Sequence, residues 1–268
     1  MSNTKLAISN IAWEPICDID MYQYLKAQQF SGLEIAPTRL FQESPYEHCS
    51  DISDYAKRIK EQYNLTICSM QSIWYGRKER IFGTKEERNI LIEYTKNAIL
   101  FAEAARCHNL VFGCPKNRNY ENSDEIQNIA IAFFKELGDF AYNHGTVIAM
   151  EANPTIYGTN YINTTKQAIE LIKDVSSKGF RLNLDFGTVI QNQEDLSEIN
   201  NLESFVNHIH ISEPYLKPIE NRVELHKKAF EIARKVPEVY ISIEMGKNER
   251  NTIEDRILYI NKIKNSVL

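Results

Sequence analysis

Cysteine is scarce in this sequence. The 268 residues contain five cysteines, an odd number, and none of them forms a Cys-x-x-Cys pair. This pattern excludes a complete disulfide framework and a zinc knuckle built from paired cysteines. Free thiols are typical of a reducing compartment, so we expect a cytoplasmic protein.

Long hydrophobic runs and an excess of positive charge are also missing. No apolar run approaches the ~20 residues of a membrane span, and residues 1–5 lack the basic-then-apolar order of a signal peptide. The net charge is −5 and the pI is about 5.8, so no overall positive field attracts nucleic acid or an anionic membrane. We therefore expect a small-molecule partner, no nucleic acid and no membrane, while a homo-oligomer stays open.

A glycine-rich nucleotide-binding turn is absent after the first predicted strand, which leaves through Trp13, Glu14 and Pro15. This absence argues against an open doubly wound sheet. Eight apolar runs instead alternate with helical or helix-like segments, and no linker interrupts them. The count and the chain length predict an α/β fold, a single (β/α)8 TIM barrel over residues 1–268.

The element positions follow from hydrophobic spacing. Strands are expected at 5–11, 32–37, 65–71, 109–113, 146–151, 180–185, 206–210 and 239–244. Helices are expected at 18–29, 51–63, 123–143, 164–176, 219–235 and 252–263, with a long helix opening at 84 and a further helical return from 202 onward.

Four successive predicted strands end at Glu151, Asp185, His210 and Glu244. The carboxyl ends of barrel strands meet on one face, so these side chains should converge there. Alone, each carboxylate has a simpler explanation as a helix cap or a partner of a surface lysine, and a lone histidine is usually a core group. Together they form an oxygen-rich shell that suits Mn²⁺, Mg²⁺ or Co²⁺, with Zn²⁺ also open.

A cation is also expected on electrostatic grounds, because three carboxylates in one barrel mouth would repel each other without it. We predict one divalent cation, with Mn²⁺ as the first choice. His208 lies two residues before His210 and faces the same side of its strand. We assign His210 as the ligand and leave His208 as a supporting or interior polar group.

Four segments carry a resemblance to a known family. They are Met-Glu-Ala-Asn-Pro at 150–154, Leu-Asn-Leu-Asp-Phe-Gly at 182–187, His-Ile-His-Ile-Ser-Glu-Pro at 208–214 and Ser-Ile-Glu-Met at 242–245. The chain resembles the sugar phosphate isomerase/epimerase group, xylose-isomerase-like barrels that include ketose 3-epimerases and inosose dehydratases. The resemblance implies that Glu151, Asp185, His210 and Glu244 bind one divalent cation. It also implies that Glu151 and Glu244 move the proton.

Two positions depart from the ketose 3-epimerase pattern. Thr188 stands where those enzymes have a substrate-contacting histidine, and Leu216 stands where they have an arginine. These departures argue against a ketohexose substrate. Lys217 and Arg222 in the same loop offer charges for a phosphate or carboxylate, with solvated loop charges as the equal alternative.

Five other residues complete the predicted substrate site: Glu34, Trp74, Lys116, Asn153 and Glu213. Each has a structural alternative. Glu34 can orient a neighbouring cation instead of sugar hydroxyls, Trp74 can pack its loop onto the barrel instead of stacking on a sugar, and Glu213 can support a ligand.

The sequence therefore predicts a metal-dependent isomerase or epimerase that acts on a small sugar, sugar phosphate or polyol through an enediolate-type proton transfer. Three alternatives remain: an inosose-type dehydratase, an AP-endonuclease-like metallonuclease on the same barrel, and a non-catalytic sugar-binding barrel. The acidic charge and the presence of only six histidines argue against the nuclease.

Overall fold

A computed structural model describes residues 4–121 and 125–267. Eight parallel strands close into a barrel in sequence order, and β8 returns to pair with β1. The strands are β1 Lys5–Ser9, β2 Gly32–Ile35, β3 Thr66–Met70, β4 Leu110–Phe112, β5 Ile148–Glu151, β6 Phe180–Asp185, β7 Val206–Ser212 and β8 Tyr240–Glu244. The predicted (β/α)8 fold is confirmed.

Helices surround the barrel and shield its outer face. They are α1 Asp18–Ala27, α2 Pro37–Leu40, α3 Cys49–Tyr63, α4 Lys85–Ala105, α5 Ile126–Asn143, α6 Thr165–Val175, α7 Phe186–Asn192, α8 Val223–Ala233 and α9 Arg250–Val267. None of the helices in these described stretches is both long and apolar enough to cross a membrane.

The core lies between the barrel and the helices. Phe134 of α5 stacks on Phe180 of β6 at 4.8 Å between ring centroids and meets Phe112 of β4 edge to face at 4.9 Å. All three side chains are fully buried. Because the outward strand face is apolar and covered, the polar residues of the strands are left to point into the barrel.

Capping residues set where several helices begin or end. Thr84 and Glu87 form a capping box before α4, as the sequence predicts, and Thr164 forms one with Gln167 before α6. Asn64 ends α3 in the left-handed conformation. The expected start of α5 at Ser123 lies outside the described residues.

One predicted helix is wrong, one helix was not predicted and one strand is longer than expected. The helix expected from residue 202 onward is only the 3-10 turn Leu202–Ser204, and the return after β6 is α7, which begins at once after the strand. Asp185 causes this because its side chain accepts a hydrogen bond from Thr188 N at 2.7 Å and caps the helix. In addition, β7 continues to Ser212, two residues past His210.

Candidate active site

A cavity of about 210 Å³ opens at the carboxyl ends of the strands. Glu151, Asp185, Ser212 and Glu244, the last residues of β5 to β8, contribute to its lining together with residues of the following loops. This is the end of the barrel at which such folds place their chemistry.

The structure brings the four predicted metal ligands together. One ligand atom from each of Glu151, Asp185, His210 and Glu244 lies within 4.8 Å of the others. His210 Nδ1 is 3.0 Å from Glu151 Oε1 and 3.2 Å from Glu244 Oε2. We name these four residues the acidic cluster.

Asp185 is held by donors on two sides. Thr188 donates to its Oδ2 from the backbone nitrogen at 2.7 Å and from Oγ1 at 2.8 Å, while the Ser212 hydroxyl donates to Oδ1. Gly187 lets Ser212 come this close, because a Cβ on Gly187 would lie 2.7 Å from Ser212 Oγ. Thr188, in place of the histidine of ketose 3-epimerases, therefore orients a carboxylate.

Glu151 is fixed by two amides. Asn183 donates to its Oε1 at 2.7 Å and Asn153 donates to its Oε2 at 3.0 Å. Gly113 leaves room for the carboxylate, since a Cβ at this position would lie 2.9 Å from Glu151 Oε2. Asn153 is predicted to contact substrate. It lines the cavity, but its amide group donates a hydrogen bond to Glu151.

His210 is oriented from below by Glu34. Its Nε2 lies 2.9 Å from Glu34 Oε2, so the proton on Nε2 is donated there and Nδ1 points toward Glu151 and Glu244. Gln71 donates to the other Glu34 oxygen at 3.3 Å. Glu34 is fully buried and does not line the cavity. Of its two predicted roles, the contact with His210 fits the orientation of a neighbouring cation better than the binding of sugar hydroxyls. A buried carboxylate behind a ligating histidine is a recurrent support in metal sites.

Opposite charges stabilise the buried imidazole of His210 and the carboxylate of Glu34 beside each other. Burial opposes the charged form of His210, but the carboxylates of Glu34 and Glu244 outweigh it and hold the pKa of His210 well above its usual value. Burial likewise opposes ionisation of Glu34, yet His210 and His208 hold its pKa below the normal range. At the acidic cluster the balance is different: burial raises the pKa of Glu244 to about 7 despite the opposing effect of His210.

The donor set fits a divalent cation. Burial and the neighbouring Glu151 raise the pKa of Asp185, and a cation bound beside its carboxylate would oppose both effects. Three carboxylates and one imidazole nitrogen are the ligands that a hard or borderline divalent ion takes. A cation at this place would replace the proton on His210 Nδ1 and offset the carboxylate repulsion.

The family of the chain is recognisable over most of its length. Residues 22–252 match the family model of xylose isomerase-like TIM barrels. The chain belongs to this family. No curated protein matches the chain.

Solved structures of similar fold have low identity to this chain. D-psicose 3-epimerase with D-tagatose from Clostridium cellulolyticum H10 has a TM-score of 0.78 at 12% identity, covering 99% of each chain. The apo form of 3-keto-D-glucoside 4-epimerase YcjR from E. coli has a TM-score of 0.74 at 16% identity, covering 98% of this chain and all of its own. IolI protein with a bound zinc atom has a TM-score of 0.71 at 16% identity, covering 98% of each chain.

His208 lies in the interior of the barrel. It is buried, with Nε2 2.8 Å from Ser242 Oγ and 3.4 Å from Glu34 Oε2. Burial lowers the pKa of His208. Of the two roles left open by the sequence, it fills that of an interior polar group beside Glu34.

Trp74 does not line the cavity, and its contacts fit the alternative role of packing its loop onto the barrel better than sugar stacking. Its indole nitrogen donates to Thr95 Oγ1 of α4 at 2.8 Å, and its ring meets Phe112 and Phe133 edge to face at 4.7 and 6.0 Å. Only 3% of the residue is exposed. The apolar ring is therefore used to pack the β3–α4 loop onto the helix layer.

The predicted cations lie outside the cavity. Arg222 donates to Glu213 through Nε at 2.7 Å and through Nη2 at 3.0 Å. Both residues are thus engaged with each other, and Glu213 also lines the cavity. Lys116 and Lys217 are exposed and stand at the rim, each next to a lining residue. None of these three cationic side chains is placed to bind a phosphate inside the cavity.

Sequence reasoning missed Arg118 as a support of the site. The residue is fully buried and donates to Glu151 O at 2.9 Å, Asn153 Oδ1 at 2.9 Å and Ile162 O at 3.2 Å. Burial lowers its pKa to about 10. Lys116 lies two residues earlier, and nothing in the local sequence shows which cation of Pro115–Arg118 turns inward.

Tyr157 was also left out of the predicted site. It lines the cavity, and its hydroxyl accepts a hydrogen bond from Tyr215 N at 2.8 Å. Its position three residues after Pro154, close to the strand end at Glu151, was the available signal.

Glu34 gives a direct test of the arrangement. We expect Glu34→Gln to weaken divalent-metal binding by about 10- to 100-fold, because the amide no longer fixes the proton on His210 Nε2. Calorimetric titration with Mn²⁺ measures this. Gln71→Ala removes the contact to the other oxygen of Glu34 and a hydrogen bond to Ser9 Oγ, but it leaves the contact between Glu34 and His210 in place. It is the control, with a smaller loss expected. Unchanged affinity in Glu34→Gln would contradict the orienting role.

Proposed function

We propose that the protein is a divalent-metal-dependent isomerase or epimerase of a small sugar or polyol. One observation carries this proposal: Glu151 and Glu244 face the same imidazole nitrogen from strands separated by β6 and β7, at the bottom of an open cavity. Family membership supports an enzyme that modifies a small sugar. The specific reaction is inferred from the acidic cluster.

The four residues of the acidic cluster would hold the cation. Mn²⁺ remains the first choice because three of the four donors are carboxylates, and Mg²⁺, Co²⁺ and Zn²⁺ suit the same set. The zinc atom in the IolI structure supports a divalent metal without fixing its identity here. When bound, the cation would supply Lewis-acid stabilisation of the negative charge that develops on the substrate oxygens.

Glu151 and Glu244 are the groups that would move the proton. Each lines the cavity and each is only about one tenth exposed. A carboxylate shielded from water in this way is a competent general base. Because the two approach from different strands, they would serve the two faces of a substrate carbon, which gives epimerisation. One of them acting alone on adjacent carbons would give aldose–ketose exchange.

The cavity favours a neutral substrate over a phosphorylated one. Within the described residues its lining contains no lysine or arginine, and it contains the carboxylates of Glu151, Asp185, Glu213 and Glu244. Leu216 lines the cavity where ketose 3-epimerases have an arginine, so that wall is apolar as well. A phosphate group would meet repulsion here unless it bound the metal or reached the rim.

The nuclease alternative gains no support from the site. Beyond His208 and His210, none of the other histidines of the described residues lines the cavity: His108 is exposed, His48 and His144 are partly exposed, and His226 bonds Tyr259 Oη at 2.8 Å. A histidine-rich site for several metals is therefore not assembled from them. The net charge of −5 also disfavours duplex DNA.

Elemental analysis combined with a substrate panel tests the proposal. We expect one divalent cation per chain after loading and metal-dependent interconversion of at least one neutral sugar or polyol, followed by NMR. Loss of water from the substrate instead would identify a dehydratase. Binding of sugar with no turnover would identify a binding protein. A chain that takes up no divalent cation at micromolar levels would refute the proposal.

A further inference from the structure

A second cavity lies at the opposite end of the barrel. It has a volume of about 850 Å³, and the first residues of β1, β3, β7 and β8 are part of its wall. It shares no lining residue with the cavity above the acidic cluster. We name it the basal cavity. Its size is within the range of small-molecule sites.

The wall of the basal cavity is positively charged in a protein whose net charge is negative. Four cationic side chains, Lys5, Lys60, Arg181 and Lys264, line it against a single carboxylate, Glu238. Glu238 pairs with Lys5. The other three cations therefore remain without a carboxylate of the wall to neutralise them, and such a concentration of one sign attracts counter-ions into a concave site.

Two of these cations are also partly withdrawn from water. Burial lowers the pKa of Lys264, and no neighbouring carboxylate of the described residues opposes that effect. Burial lowers the pKa of Arg181 in the same way, although its guanidinium donates to the carbonyl of Ser204. Partly buried cations are normally paired, because leaving one unpaired costs free energy.

The three cations without a carboxylate of the wall come from separate elements. Lys60 is on α3, Lys264 is on α9 and Arg181 is on β6. The β7 residue Asn207 adds an amide to the wall, although this amide already donates to Asn109 Oδ1 at 2.8 Å. An anion held between α3, α9 and β6 would gain charge-assisted hydrogen bonds from several directions.

We propose that the basal cavity is a binding site for a phosphate-bearing small molecule, with Lys60, Arg181 and Lys264 as its anion-binding side chains. Arginine and lysine together suit a phosphate group, arginine through its planar fork and lysine as a point charge. The site is independent of the proposed sugar chemistry, because it lies at the other end of the barrel and uses none of its residues.

Titration with inorganic phosphate tests the site. In the metal-loaded protein we expect saturable binding by calorimetry and a higher melting temperature with rising phosphate. The double variant Lys60→Met with Lys264→Met should bind phosphate about tenfold more weakly, equivalent to about 1.4 kcal/mol. Its matched control is Lys57→Met with Lys262→Met, which removes two exposed lysines from the same helices, outside the basal cavity.

Three further arms make the outcome decisive. Arg181→Gln should also weaken binding, whereas Lys217→Met at the rim of the other cavity should not. Tricarballylate, which carries carboxylates only, should bind more weakly than phosphate if the site is built for phosphate. Absence of saturable binding, equal loss in the control pair, or loss in Lys217→Met alone would overturn the proposal. None of these outcomes depends on enzymatic turnover.

Discussion

Glu151→Gln and Glu244→Gln are each expected to lower kcat by about 10²-fold or more, the usual scale of general acid–base catalysis, while part of the bound metal is retained. The glutamine side chain keeps one oxygen that can bind a cation, but it can no longer accept a proton as a general base. Glu213→Gln is the matched control: it also lines the cavity, but its carboxylate is engaged with Arg222. Its kcat should change little.

The surroundings of Glu151 determine how this experiment must be read. Both carboxylate oxygens accept amide hydrogens, from Asn183 and from Asn153. In Glu151→Gln the new amide group must face one of these donors, so metal content and melting temperature have to be measured beside kcat. Among the described residues, no side-chain amide donates to the Glu244 carboxylate. A change of kcat in Glu244→Gln is therefore simpler to interpret than one in Glu151→Gln. Full activity in either variant at saturating metal would refute the assignment.

Removing a ligand is expected to act on the metal instead of the proton. Asp185→Asn should lower divalent-metal affinity by about 10²-fold or more, because a charged ligand is lost from a buried site. The side-chain oxygen that caps α7 through Thr188 is retained, so the fold should be preserved. Activity should return in part at high Mn²⁺, since Glu151 and Glu244 remain.

His210→Ala should show the same metal defect together with a loss of stability. It leaves Glu34 buried beside His208, whose charged form burial disfavours, and breaking a buried ion pair typically costs about 3–5 kcal/mol. Urea unfolding measures this difference between the two variants. Equal stability in both, or unchanged metal affinity in Asp185→Asn, would contradict the roles assigned here.

The barrel and the acidic cluster were accessible to sequence reasoning for one physical reason. Each buried strand reads as an apolar run, and an abrupt polar residue at its end marks the face where strands meet. Glu151 and Glu244 both follow this rule. Asp185 follows it too. It also caps α7, and because the residue reads as the end of a strand, the sequence does not indicate the helix that begins there.

The supports of the site could not be predicted in the same way. Glu34 contacts His210 across 176 positions of sequence, and a carboxylate inside a strand gives no sign of whether it faces a substrate or a histidine. Trp74 and Arg222 were assigned to the substrate from their loop positions, yet Thr95 and Glu213 engage them instead. Loop side chains are positioned by tertiary contacts, which local sequence does not encode.

Solvent deuterium exchange tests the central claim most directly. The Mn²⁺-loaded protein is incubated in D₂O with a panel of neutral and phosphorylated sugars, and NMR follows deuterium at the carbon beside the carbonyl. We predict exchange into at least one neutral sugar, lost on chelation, restored by Mn²⁺ and suppressed in Glu244→Gln. No exchange into any sugar by a protein with one metal per chain, or exchange that persists without metal, would contradict metal-assisted proton transfer by the acidic cluster.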